Sequence, residues 1–99
     1  MKEQKFIITL EGRIRLGLVH MHKDLIQEND HCIGGGYYQV DAIGGKLMLD
    51  RRSLDYGEPR WHYIDVLCVP KDYQGLQIVY EYDNGDVFNV SDQLTILYV

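Results

Sequence analysis

Several things that would support a particular class of protein are scarce in this chain. It has two cysteines, Cys32 and Cys68, and opens "MKEQKF" with no apolar leader. A disulfide framework is therefore excluded, and reduced thiols in a cytoplasmic protein are expected. No apolar run approaches the ~20 residues a membrane helix needs, so no membrane partner is expected. Positive charge is also short: Lys and Arg number 10 against 15 Asp and Glu, a net charge of −5. Surfaces that hold nucleic acid in general are strongly basic, so no nucleic-acid partner is expected either. There is no internal repeat, low-complexity tract or linker, and residues 1–99 read as a single domain with one core. The cations that are present crowd the first quarter, as Lys5, Arg13, Arg15 and Lys23, while the C-terminal third is acidic. That asymmetry points to an anionic ligand near the N-terminal half.

The hydropathy pattern is mainly that of strands. "KFIITLEGRIRLGLVHMH" carries β-branched and aliphatic residues around "EG" and predicts a hairpin, Phe6–Leu10 with Arg13–Met21. "HKDLIQEN" predicts a short helix with Asp24 in its first turn, where the dipole favours an acid, and "DHCIGGG" breaks it. Tyr37–Asp41 and Lys46–Asp50 form a second predicted hairpin. A second helix is expected after Pro59, because Trp61, Ile64, Leu67 and Cys68 recur at helical spacing until Pro70. "LQIVYEYDNGDVFNV" is a third hairpin around Asn84-Gly85, and "LTILYV" a last strand. The expected fold is α+β: a mixed, mostly antiparallel sheet of six strands, seven with one further short strand, flanked by two α-helices.

Chemistry-bearing residues concentrate in "HMHKDLIQENDHCIGGGYY". On a continuous strand His20 and His22 point to one face, and His31 and Cys32 could complete a metal set, but the spacing matches no closed zinc pattern. No metal or cofactor is expected. In the phosphate reading, the glycines Gly34, Gly35 and Gly36 leave the backbone bare, so that successive N–H groups can converge on an anion. A helix starting at His22 would add the amides of Lys23 and Asp24. The positive potential there lowers the pKa of the histidine and keeps it available as a base. Ser53 lies among Arg51, Arg52 and Tyr56 without a nucleophile-elbow pattern. Cys32 is reactive only if its thiolate is stabilised.

Taken in order, "HKDLIQE", "CIGGGYYQVDAIGGKLML" and "SLDYGEPRW" resemble the janus/ocnus family, whose best characterised members are protein-histidine phosphatases. Family members show a histidine opening a short helix, a Cys-aliphatic-Gly-Gly-Gly entry to a strand, a hairpin, and Ser-x-x-Tyr-Gly followed by proline. The resemblance covers roughly residues 5 to 82. It implies a six-stranded mixed sheet between two helices and a metal-free site. It implies that His22 acts as general base or phosphoryl acceptor, that the Lys23 and Asp24 amides cradle the phosphate, and that Ser53 and Lys5 bind it. The chain departs from the family pattern where Tyr37 follows the glycines in place of arginine, and where Met21 precedes His22 in place of tyrosine.

The expected function is hydrolysis of phosphohistidine or phospholysine side chains, on a phosphorylated protein or a small phosphoramidate. Its rival is a non-catalytic module of the same fold that binds phosphate-bearing or acidic partners, which the missing arginine at Tyr37 favours. A third reading is an oligomerisation domain in which Tyr80, Tyr82 and Phe88 seek partners. The oligomeric state is left open.

Overall fold

The alternating segments resolve into strands in the structure, a computed structural model that describes residues 1–51 and 56–99. In chain order they are β1 Glu3–Thr9, β2 Ile14–Val19, β3 Cys32–Asp41, β4 Lys46–Asp50, β5 Val66–Val69, β6 Gln77–Glu81, β7 Val87–Asn89 and β8 Thr95–Tyr98. Six of them form one sheet in the order β2-β1-β3-β4-β6-β7, while β5 and β8 form a small second sheet. All neighbours in the large sheet are antiparallel except β4 and β6, which run parallel. The β6–β7 hairpin turns at Gly85, whose φ of 90° is a conformation that glycine adopts at no steric cost.

Alternation along the strands sorts the side chains into two faces. Phe6, Ile8, Tyr38, Leu47, Leu49, Ile78 and Tyr80 point inward and are buried. They meet Trp61, Ile64, Val90 and the small sheet, whose Leu67 and Val69 are fully buried. Each such side chain contributes ~1.5–3 kcal/mol on burial, so this face holds the fold together. The Cys68 N–H donates to the Gly12 carbonyl at 2.7 Å and ties β5 to the β1–β2 turn. Tyr80, Tyr82 and Phe88 find their aromatic partners within the molecule: Tyr82 packs edge-on to Tyr80, and Phe88 stacks on Trp61.

The expected α+β layout with two flanking helices is overturned. Strands take 47 % of the described residues and helical turns of every kind 15 %, so the fold is mostly β. Among the described residues the only α-helix is α1, the four residues Val90–Gln93. The first expected helix is a single 3-10 turn, His22–Leu25, after which Ile26 is extended. Isolated helices below ~12–15 residues are marginal, and Asn29, with φ of 72°, turns the chain before a longer one can grow. In place of the second helix, a 3-10 turn Trp61–Tyr63 leads into β5. Trp61, Ile64 and Leu67 do lie on the core, but Val66–Val69 reach it by strand alternation. Their parallel pairing with β8 joins parts of the chain that local spacing does not connect. No helix among the described residues is long and apolar enough to cross a membrane.

Candidate functional site

The outer face of the sheet is covered only in part, and the cover there begins at Gly35, the middle of the glycine triplet. Gly34, Gly35 and Gly36 lie inside β3, paired with Ile8, Ile7 and Phe6 of β1, rather than in a loop. Without side chains they let other backbone come unusually close. A Cβ on Gly34 would lie 2.8 Å from the Pro59 Cα, and one on Gly35 would lie 3.3 Å from the Tyr56 Cβ. The chain at Tyr56–Pro59 therefore runs close beside the bare strand, with Tyr56 toward its outer face and Pro59 toward its inner one, and the Gly35 N–H points to the Gly57 carbonyl at 3.5 Å.

Tyr56 is seated beside His22, with ring centroids 4.8 Å apart. His22 is 5 % exposed, and its Nε2 lies 2.8 Å from the Gly36 carbonyl oxygen. A carbonyl only accepts, so Nε2 carries the proton of this hydrogen bond, and in the neutral ring the lone pair resides on Nδ1. The Tyr37 ring stands edge-on to the imidazole at 5.6 Å.

Lys5 comes from β1, paired with Tyr37 across the ladder, and is 8 % exposed. Its Nζ donates to the His20 carbonyl at 2.5 Å and lies 5.7 Å from the centre of the Tyr37 ring. The ion pairs among the described residues are Arg15–Asp30, His31–Glu11 and Arg51–Asp83, and none of them involves Lys5. A hollow of about 680 Å³ opens here, lined by Lys5, His20, Met21, His22, Lys23 and Tyr56.

Of the residues singled out from the sequence, Lys5, His22 and Lys23 meet in this hollow, Tyr37 stands beside it, and the glycines lie beneath as strand. Asp24 has another task. Its N–H donates to the Met21 carbonyl at 3.0 Å, and its carboxylate accepts the Met21 N–H at 3.1 Å, which closes the turn. Ser53 lies outside the described residues. Arg15, one of the cations crowded in the first quarter, is held by Asp30 through two contacts of 2.9 and 3.2 Å. Burial raises the pKa of the Cys32 thiol and so disfavours the reactive thiolate. Among the described residues no group of three or more His, Cys, Asp and Glu is placed to hold a metal ion. Sequence reasoning gave no role to Tyr56. The signal available was the glycine triplet itself, since a bare strand implies something lying against it. Comparison with family models, curated proteins and solved structures gives no match to this chain.

Proposed function

We propose that the hollow beside His22 binds a phosphoryl group, and that the protein hydrolyses the P–N bond of phosphohistidine or phospholysine. The substrate is a phosphorylated protein or a small phosphoramidate. One observation carries the reading: a buried lysine ammonium in a hollow, held by a carbonyl but by no carboxylate among the described residues. An uncompensated buried charge costs several kcal/mol, and a phosphoryl dianion supplies the missing counter-charge, with Lys23 adding a second cation at the rim. The motif resemblance to the janus/ocnus family supports the same site.

In this mechanism the His22 Nδ1 lone pair takes a proton from water as the water oxygen bonds to phosphorus. The P–N bond breaks, its electron pair stays on the leaving nitrogen, and that nitrogen takes up a proton from solvent, to which the His22 imidazolium returns the one it gained. The products are the free side chain and inorganic phosphate. Lys5 holds the charge that builds on the phosphoryl oxygens. The half-buried thiols of Cys32 and Cys68 suit a reducing compartment such as the cytoplasm.

A binding module without turnover is favoured by the engaged Asp24 amide and by Tyr37 standing next to Lys5, both of which leave fewer donors for developing charge. Phosphohistidine turnover, measured with calorimetry of inorganic phosphate, separates the two readings. Hydrolysis that falls at least ~100-fold in His22→Ala supports the enzyme. Phosphate binding with no turnover supports the module, and absence of both removes the site.

A further inference from the structure

The ladder that places Lys5 continues across the outer face. Lys5 pairs with Tyr37, Tyr37 with Asp50, and Asp50 with Glu81, so one row runs through β1, β3, β4 and β6. Residues paired in this way project from the same face of a sheet. The row therefore begins at a buried cation, passes an aromatic ring, and ends at two neighbouring carboxylates. At that end Asp50 and Glu81 line a second, open hollow of about 260 Å³ together with Gln39 and Met48. Glu81 is exposed there, and Asp50 is partly so.

We propose that this row reads the sequence around a phosphorylated residue: the phosphoryl group sits at Lys5 and His22, and a basic side chain of the same peptide reaches the exposed Glu81. The inference rests on the phosphoryl site proposed above and adds a specificity-determining surface to it. Adjacent strands stand ~4.7–4.9 Å apart, so the three steps from Lys5 to Glu81 span about 14 Å. An extended peptide covers that span in about four residues at ~3.3–3.6 Å each. Tyr37 lies between the two ends and offers its ring to a cationic or apolar stem passing over it. Opposite charges at the two ends fix which group lies where, because exchanging them sets a phosphoryl group against the Glu81 carboxylate and a cation against Lys5.

The test uses a synthetic peptide bearing a phosphonate analogue of phosphohistidine, with lysine four residues away on either side, and a twin with glutamine at those positions. The wild-type protein binds the lysine peptide about three- to tenfold tighter than its twin, as one desolvated ring contact and partly exposed charge pairs allow. Glu81→Gln reduces the preference without weakening the glutamine peptide, and raised salt does the same. Equal affinity of the two peptides for the wild type, or a preference that survives Glu81→Gln, overturns the row while leaving the phosphoryl site standing. If neither peptide binds, the phosphoryl site falls and the row falls with it.

Discussion

Replacing Gly36 by alanine asks what the glycine triplet is for. A Cβ at that position lies 1.9 Å from the Asp50 carbonyl oxygen and 3.1 Å from the Phe6 Cε1. The oxygen belongs to the backbone of the neighbouring strand, where Tyr37 pairs with Asp50, so it yields only if β3 and β4 part. Overpacking in a filled interior costs ~1–3 kcal/mol, and a contact this short against backbone belongs at the upper end. Alanine also restricts the unfolded chain, which returns ~0.4–1 kcal/mol. The net expectation is a loss of about 2 kcal/mol. For a domain of this size each kcal/mol shifts Tm by ~4–8 °C, so Tm falls by about 8 °C or more. Gly57→Ala is the matched control, because its Cβ meets nothing within 4 Å. There only the unfolded-chain effect operates, and stability stays level or rises by up to ~1 kcal/mol. Urea titrations of both variants with unchanged m-values decide the matter. A Gly36→Ala protein within ~0.5 kcal/mol of wild type refutes the close-approach account of the triplet.

Two further outcomes follow from the charges. Lys5→Met removes a buried ammonium and fills its space with an apolar chain, so stability of the ligand-free protein is unchanged or higher by up to ~2 kcal/mol. Thermal melts in inorganic phosphate then show a rise for wild type and none for Lys5→Met; a variant that loses stability yet keeps the phosphate shift marks Lys5 as a mere tie to the His20 carbonyl. The Arg15 side chain hydrogen-bonds to Asp30 and holds its carboxyl below the ordinary value of 3.8. A depressed folded pKa contributes stability that is complete above the unfolded value and is lost as the pH falls through the folded one. Acid unfolding of Asp30→Asn therefore depends less steeply on pH below about 3.8 than that of wild type, and identical acid limbs contradict the pairing.

What the sequence discloses here is set by how local the determining forces are. The three hairpins of the large sheet rest on alternation within a few residues of each turn, and the Asn84-Gly85 turn carries its own conformational signal. The pairing of β5 with β8 has no such local cause. Val66–Val69 become a strand because Thr95–Tyr98 arrives beside them, and Trp61, Ile64 and Leu67 fit helical spacing equally well until it does. The single turn at His22 shows the same limit. Its Asp24 cap is local and legible, whereas the seat of Leu25 over Gly17 of β2 is a contact that local spacing does not disclose. For the site, cationic crowding in the first quarter brought Lys5 and Lys23 into view, and a histidine at the expected start of a helix brought in His22. Tyr56 stayed out of view because its contact with Gly35 is made across the sheet face.

The glycine triplet joins fold and site through a local conflict. Each strand glycine forgoes ~0.5–1 kcal/mol relative to alanine, and three in succession occupy the middle of the sheet beside fully buried Phe6, Ile7 and Ile8. A sequence optimised only for stability fills such positions with β-branched side chains. Those side chains are excluded here because Tyr56, Pro59 and the Asp50 carbonyl already occupy the space. The same bare strand brings the Gly36 carbonyl to the His22 ring and seats Tyr56 against it. The stability forgone in β3 thus has one structural return, the hollow beside Lys5, and places where local preference yields in this way tend to be functional.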